Sequence, residues 1–284
     1  MTVREALLQG TRLLEEGAIS VPRLTAEVLL SHALRRERTY LYAHPEHVLT
    51  EIEWIHCGRY LHERLQGKPT QYITGRQEFY GREFRVTPDV LIPRPETEHV
   101  VEAALRVGRG VRRILDVGTG SGALAVTLKL ETGAEVWATD ISSTTANMAA
   151  ENARRLAARI GIVVCDLMSA VAKGSMDVIV SNPPYVPLGD RDGMQREVRD
   201  WEPQVALFAG VTGFEIYERI EADARRVLSQ DGWLVTELGF GASERVTGML
   251  ADWRDIRVDD DLAGIPRVIT AKRPSQKIVF PSPL

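Results

Sequence analysis

Downstream of residue 95 the chain switches repeatedly between two periodicities, and that alternation restricts the fold more than any other feature. Six short apolar runs have the length and composition of buried strands: R-R-I-L-D-V (112–117), E-V-W-A-T-D (135–140), I-G-I-V-V-C-D (160–166), D-V-I-V-S-N (177–182), G-W-L-V-T-E-L (232–238) and V-I-T-A-K-R (268–273). Segments of helical period lie at about 96–107, 123–130, 143–158, 213–228 and 243–252. Strands separated by helices predict a parallel, doubly wound α/β sheet, which holds ligands at the carboxyl ends of its strands. Two motifs of this chain fall at such ends.

The first 70 residues read differently. Apolar positions Ala6, Leu7, Leu13 and Leu14, then Leu24, Val28, Leu29 and Leu34, then Ile52, Ile55, Leu61 and Leu65 follow helical spacing, with breaks at Gly17, Pro22 and near Pro45. Thr50 followed by Glu53 has the form of a capping box. These signals predict a small N-terminal helical bundle over 1–70. Residues 71–95, rich in β-branched and aromatic residues broken by Gly and Pro, predict a β-hairpin linker to an α/β domain over 96–284. A short Pro-containing tail follows Lys272.

Composition removes several classes of function. A formal net charge of −4 gives no electrostatic footprint for sequence-independent nucleic-acid binding, and Arg35, Arg36 and Arg38 read as a solvated helix end. Cys57 and Cys165 form no C-x-x-C pair and read as two buried thiols rather than zinc ligands or a disulfide. His56 and His62 are spaced by six and do not share a helix face, so no metal site is expected. The start lacks the apolar core of a signal peptide and no run reaches about 18 apolar residues, which predicts a cytoplasmic enzyme without membrane association.

The first strand runs into Gly118-Thr119-Gly120-Ser121-Gly122 and then a helix, and Asp140 ends the next strand. A glycine turn lets backbone approach a ligand closely, and an acidic side chain at the next strand end accepts hydrogen bonds from ribose hydroxyls. A nucleoside cofactor is expected. The turn lacks the G-x-G-x-x-G spacing for a pyrophosphate, and no G-x-x-x-x-G-K-[ST] occurs for a triphosphate. S-adenosylmethionine, which carries ribose, adenine and an amino-acid end but no phosphate, fits. Asp116 is suited either to the ammonium of that end or to a structural hydrogen bond.

The second motif, S-N-P-P-Y-V-P (181–187), has no general base and few donors, because Asn182 has no useful acid–base chemistry and prolines lack N–H. It offers acceptors. The Asn182 side-chain carbonyl and the Pro183 backbone carbonyl suit one group that brings two hydrogens, and the face of Tyr185 suits a planar one. An amide and an aromatic exocyclic amine both answer that description.

The turn I-L-D-V-G-T-G-S-G, Asp140 and S-N-P-P-Y together resemble S-adenosylmethionine-dependent amino-methyltransferases, among which N-P-P-Y is shared by enzymes acting on adenine, guanine and glutamine nitrogens. Longer segments are more selective. Residues 71–98 (QYITGRQEFYGREFRVTPDVLIPRPETE), 202–217 (EPQVALFAGVTGFEIY), 261–267 (DLAGIPR) and 23–30 (RLTAEVLL) resemble the protein-(glutamine-N5) methyltransferases that modify peptide-chain release factors. The resemblance covers nearly the whole chain. It implies a Rossmann-like methyltransferase sheet, with Gly118, Thr119, Gly120, Ser121, Gly122, Asp140, Leu167 and Asn182 around S-adenosylmethionine and Asp140 on its ribose. It implies that Asn182 and Pro183 are catalytic and that, with Pro184 and Tyr185, they grip the glutamine of a release factor's Gly-Gly-Gln loop. The Ile92–Glu98 loop would pass near the cavity, and residues 1–70 would dock the protein partner. No nucleic-acid substrate is expected, although a ribosomal-protein glutamine, a nucleic-acid adenine and a non-catalytic nucleoside-binding role are alternatives. The chain departs from the family pattern at Leu167, where some members have an aromatic, and at Ala242, where a Gln is frequent.

Overall fold

A computed structural model describes residues 1–274, so the end of the tail, 275–284, lies outside the described residues. The chain divides into two compact units: Met1–Arg76 with Met194–Trp201, and Gln77–Gly193 with the described residues from Glu202 onward.

In the smaller unit, α1 (Val3–Glu16), α2 (Pro22–Leu34), α3 (Arg38–Ala43), α4 (Glu51–Leu65) and α5 (Thr70–Thr74) surround a core built from Leu7, Leu14, Leu29, Leu30, Leu41 and Leu61. Helices α1 and α4 start on capping boxes. Thr2 pairs with Glu5 at α1, and Thr50 with Glu53 at α4, each satisfying two backbone N–H groups that a helix start leaves unpaired. Four of the apolar positions expected inside, Leu13, Leu24, Ile52 and Ile55, are exposed. Helical spacing places residues on a common face, but only tertiary packing decides how wide the covered stripe is.

The larger unit begins at Gln77, within the hairpin strand β1 (Arg76–Phe79), which pairs with β2 (Arg82–Arg85), and Phe79 and Phe84 meet edge to face inside the core. Then follow α6 (Glu98–Val107), β3 (Arg113–Val117), α7 (Ala123–Thr132), β4 (Glu135–Asp140), α8 (Ser143–Arg155), β5 (Gly161–Val164) and β6 (Met176–Ser181). After β7 (Val186–Pro187) the chain forms α9 (Arg196–Trp201) in the smaller unit. It returns through α10 (Gln204–Leu207), β8 (Phe208–Gly210), α11 (Glu215–Val227), β9 (Leu228–Glu237), α12 (Ser243–Met249), β10 (Arg254–Asp260) and β11 (Pro266–Lys272).

Seven strands form one sheet in the order β10-β11-β9-β6-β3-β4-β5. The five from β9 to β5 are parallel, as expected of strands joined by helices. The expectation of a parallel sheet fails at one edge: β11 runs antiparallel to β9, and β10 antiparallel to β11. The five residues between β10 and β11 are too few for a crossover, so those two strands can pair only as a hairpin. β10 itself is absent from the sequence reading because R-D-I-R-V-D-D carries only two apolar residues. Chain order reverses between β3 and β6, so the crevice at their carboxyl ends is the topological switch point where such sheets hold ligands.

Candidate active site

Sheet register brings the site together. Val117 is level with Thr139 and Ser181, and Ser181 with Thr236. One residue further on, Gly118, Asp140, Asn182 and Glu237 follow these four positions at the carboxyl edge. The row is braced from beneath by Ser181 Oγ, which donates to the Val117 carbonyl at 2.8 Å.

The glycine turn is held by its surroundings. The N–H groups of Gly118 and Thr119 both donate to the Thr139 carbonyl at 2.9 Å, and that of Gly120 to Asp140 Oδ2 at 3.0 Å. Gly122, at φ +84, caps α7 where a Cβ would come within 3.1 Å of Ala149 Cβ on α8, so only glycine permits this helix approach. Asn152, fully buried on α8, donates to the carbonyls of Ser121 and Arg85 at 2.9 Å and accepts from Arg85 N–H at 2.8 Å, which ties the turn to the hairpin. Nothing in the sequence pattern singled out Asn152, since a helical Asn ordinarily reads as surface.

Asp116 lies beneath the turn, 1% exposed. Its Oδ2 accepts from the Thr119 hydroxyl at 2.6 Å and from Ala125 N–H at 3.1 Å, and burial pushes its carboxyl up to about 7. Of the two roles open to it, the structural hydrogen bond is the one built. Asp140 is half-buried, with Oδ1 accepting from Ser142 N–H at 3.0 Å, and burial holds it above its ordinary value despite these donors. Each oxygen of a carboxylate can accept a second hydrogen bond, so Asp140 keeps capacity for hydroxyl donors. A Cβ at Gly118 or Gly120 would meet nothing within 4 Å among the described residues, leaving open space over the turn. The turn and Asp140 therefore fit the ribose and amino-acid parts of S-adenosylmethionine. Leu167, half-buried after β5, has a left-handed backbone at φ +45 and its carbonyl accepts from the Cys165 thiol at 3.4 Å. Cys57 is buried as expected, whereas Cys165 is only partly so.

At the other half of the row, Asn182 Nδ2 donates to Thr97 Oγ1 at 3.0 Å, and that hydroxyl donates to Glu237 Oε2 at 2.5 Å. The relay fixes the amide so that Nδ2 faces Thr97 and Oδ1 is left for another partner. Glu237 is 4% exposed, and burial pushes its carboxyl up to about 7 while the Thr97 hydroxyl pulls the other way. Pro183 is buried; Pro184 and Tyr185 are half-buried. The Tyr185 ring lies over Gly239, where a Cβ would come within 2.7 Å of it, and burial followed by the Glu237 charge pushes its phenol up to about 12. The Tyr217 hydroxyl donates to the Glu237 carbonyl at 2.9 Å and accepts from Gly239 N–H at 3.1 Å, pinning the end of β9.

Three of the selective segments converge here. Thr97 belongs to the stretch 71–98, as does Arg94, which donates to the buried Glu202 Oε1 at 2.5 Å in the stretch 202–217. The Arg267 carbonyl of 261–267 accepts from Leu238 N–H at 2.7 Å, beside Glu237. Sequence reasoning quoted these segments but did not single out Thr97 or Glu237 as parts of the site. Ala242 is buried at the start of α12, so its side chain offers no polar group.

Residues 5–75 match the PrmC N-terminal domain family, and residues 101–195 the methyltransferase small domain family. A release factor glutamine methyltransferase of Koribacter versatilis is 44% identical over 97% of this chain and all of its own length. One of Nitratidesulfovibrio vulgaris is 39% identical over 96% of this chain and 95% of its own. Among solved structures, a Thermus thermophilus 16S rRNA N2 methyltransferase in complex with AdoMet and guanosine superposes with a TM-score of 0.51 at 20% identity. It covers 70% of this chain and 49% of its own, a likeness of fold.

Proposed function

Because the chain belongs to the release factor glutamine methyltransferase family, we propose that its carboxyl-edge row methylates the side-chain amide nitrogen of the glutamine in a release factor's Gly-Gly-Gln loop. When bound, S-adenosylmethionine supplies a methyl group on a positively charged sulfur. The chain's own residues must then make an amide nitrogen attack, which it does poorly because its lone pair is delocalised into the carbonyl.

Asn182 Oδ1 and the Pro183 carbonyl accept from the two N–H bonds of that amide. Positive charge developing on the nitrogen is met by two fixed acceptors, and the lone pair is aimed away from them. The Asn182 Nδ2 to Thr97 to Glu237 chain ends on a carboxyl in a site of low dielectric. When Glu237 is ionised, each hydrogen bond polarises the next and Asn182 Oδ1 becomes a stronger acceptor. The prolines fix their own φ, and Pro183 holds Asn182 extended, so orientation contributes part of the roughly 7–11 kcal/mol available from positioning. No side chain has to remove a proton before the transfer. The alkylated amide is strongly acidic and gives its N–H proton to water, leaving neutral N-methylglutamine. Gly118 to Gly122 and Asp140 bind the cofactor, Leu167 borders it, and Tyr185 and Pro184 flank the planar amide.

Residues 1–70 dock the release factor, and the reaction takes place in the cytoplasm. No helix among the described residues is long and apolar enough to cross a membrane. The observation that carries this reading is the oriented Asn182 amide beside the glycine turn. Mass spectrometry of an unmodified release factor incubated with the protein and S-adenosylmethionine tests it. A gain of one methyl on the Gly-Gly-Gln glutamine is expected; methyl transfer to a ribosomal protein or to nucleic acid, with none to the release factor, would overturn it.

A further inference from the structure

Three exposed apolar side chains stand around Tyr185 at the carboxyl edge: Phe240 is 85% exposed, Val211 79% and Leu188 56%. Exposed apolar residues scattered singly need no explanation, but three gathered at the mouth of one site do. Phe240 follows Gly239, which the Tyr185 ring covers so closely that a Cβ there would come within 2.7 Å of it. Val211 lies shortly before Gly213, where a Cβ would come within 2.7 Å of the Tyr185 carbonyl oxygen and 3.1 Å of Pro187 Cγ. Leu188 leaves β7 after Pro187, which is level with Gly210, so Leu188 and Val211 emerge side by side.

Their exposure is fixed by the backbone. Gly239 N–H donates to the Tyr217 hydroxyl at 3.1 Å and the Gly239 carbonyl accepts from Ala242 N–H at 3.0 Å, so Phe240 projects from a hydrogen-bonded turn. Glu215 accepts from the N–H groups of Thr212 and Phe214 at 2.8 and 3.0 Å, which pins the turn behind Val211. Arg94 and Arg267, two cations whose charge bears on Tyr185, are already paired, with Glu202 and with Asp261. What the rim offers a partner is therefore apolar contact on a preformed surface.

We infer that this rim seats the uncharged peptide segment that flanks the substrate glutamine, above all its glycines; the inference rests on the proposed transfer to the Gly-Gly-Gln loop. Only a pair of methylenes separates the amide carbon of a glutamine from its Cα. An amide held by Asn182 and Pro183 therefore brings its own main chain against the surface around Tyr185. Glycines leave that main chain bare, so its peptide faces can lie flat on an aromatic ring. Aromatic stacking also serves single-stranded nucleic acid, but there it accompanies a basic groove that tracks the phosphates, and the arginines beside Tyr185 are paired.

Steady-state methyl transfer by the full chain to an unmodified release factor, at saturating S-adenosylmethionine, tests it. Phe240→Ser is expected to raise KM for the release factor about tenfold or more and Val211→Ser about threefold, with a smaller change in kcat, as for binding shared by ground and transition states. Phe240→Leu, which keeps the apolar contact, is expected to recover most of the loss. Because these side chains are exposed, Tm and the Kd for S-adenosylmethionine are expected to stay at wild-type values in all three variants. An unaltered KM in both serine variants, a loss confined to kcat, an equal loss in Phe240→Leu, or a Kd for S-adenosylmethionine that rises in parallel would overturn the inference and leave the proposed function standing. A wild-type dimer in sedimentation velocity that Phe240→Ser dissolves would assign the rim to a second copy of the chain and overturn it too. Absence of methyl transfer from the wild type to the release factor would instead overturn the proposed function, and the inference with it.

Discussion

Glu237→Gln separates the two consequences of burying a carboxyl at the end of the relay. Glutamine keeps the length of the side chain and an acceptor for the Thr97 hydroxyl, but it cannot ionise. In the wild type the carboxyl is pushed from an ordinary 4.5 up to about 7, first by burial and then by Glu96, against the pull of Thr97, Arg267 and Arg94. The folded state therefore holds a proton that the unfolded chain has already lost. The resulting cost to stability is absent below about 4.5, grows through the window between the two values, and is complete above about 7. At about 1.4 kcal/mol per unit the full cost is roughly 3 kcal/mol, of which roughly 2–3 kcal/mol develops between pH 5 and pH 8. Urea unfolding of both proteins at these two pH values measures it. Asp116 is also pushed up to about 7 with the same sign, but it is common to both proteins and cancels in their difference. The variant should gain on the wild type by that amount on going from pH 5 to pH 8. Its kcat should fall several-fold at pH 8 and lose the rise through about pH 7 that the wild type shows as the relay acquires its charge. A stability difference that stays the same at pH 5 and pH 8 would refute the assignment of a buried, proton-holding Glu237.

Three further substitutions probe the row. Asn182→Ala should lower kcat by about 10²–10³-fold with a smaller change in KM for the release factor, since a preorganised acceptor acts mainly in the transition state; full turnover in steady-state assays would remove the role given to its carbonyl. Asp140→Ala leaves the N–H groups of Gly120 and Ser142 without their acceptor and should raise the Kd for S-adenosylmethionine about tenfold or more, measured by calorimetry. Gly239→Ala puts a Cβ within 2.7 Å of the Tyr185 ring and should cost about 1–3 kcal/mol of stability, so an unchanged Tm would mean that the ring does not depend on that close approach.

The strands that carry the site were legible because their apolar runs are short and end on unusual residues. Asp140 and Asn182 each fall within a few residues of a run's end, so alternation alone put them at the carboxyl edge. What the sequence could not convey was the lateral register that sets Glu237 next to Asn182, because nothing local to V-T-E-L specifies which strand lies beside it. Thr97 was equally hidden: its hydroxyl acquires meaning only when two partners, 85 and 140 residues away in sequence, are brought to it. The antiparallel edge went unread because five of the seven residues of β10 are charged, which leaves too few apolar positions to read as a strand. Exposed Ile52 and Ile55 show the converse error, in which periodicity overstates what is covered.

The path of the chain through α9 has a consequence for how such a protein can be cut and recombined. Met194–Trp201 leaves the sequence of the larger unit to complete the smaller one, where Glu197 accepts from the buried Arg64 guanidinium at 2.5 Å and the Trp201 ring lies 5.9 Å from Lys68 Nζ. A gene fragment ending at Arg76 would therefore encode a helical bundle that lacks the carboxylate paired with Arg64 and the aromatic ring beside Lys68. A chimera that exchanges the N-terminal region between relatives must carry two separated stretches of sequence, and a single crossover would pair Arg64 with a foreign residue 197.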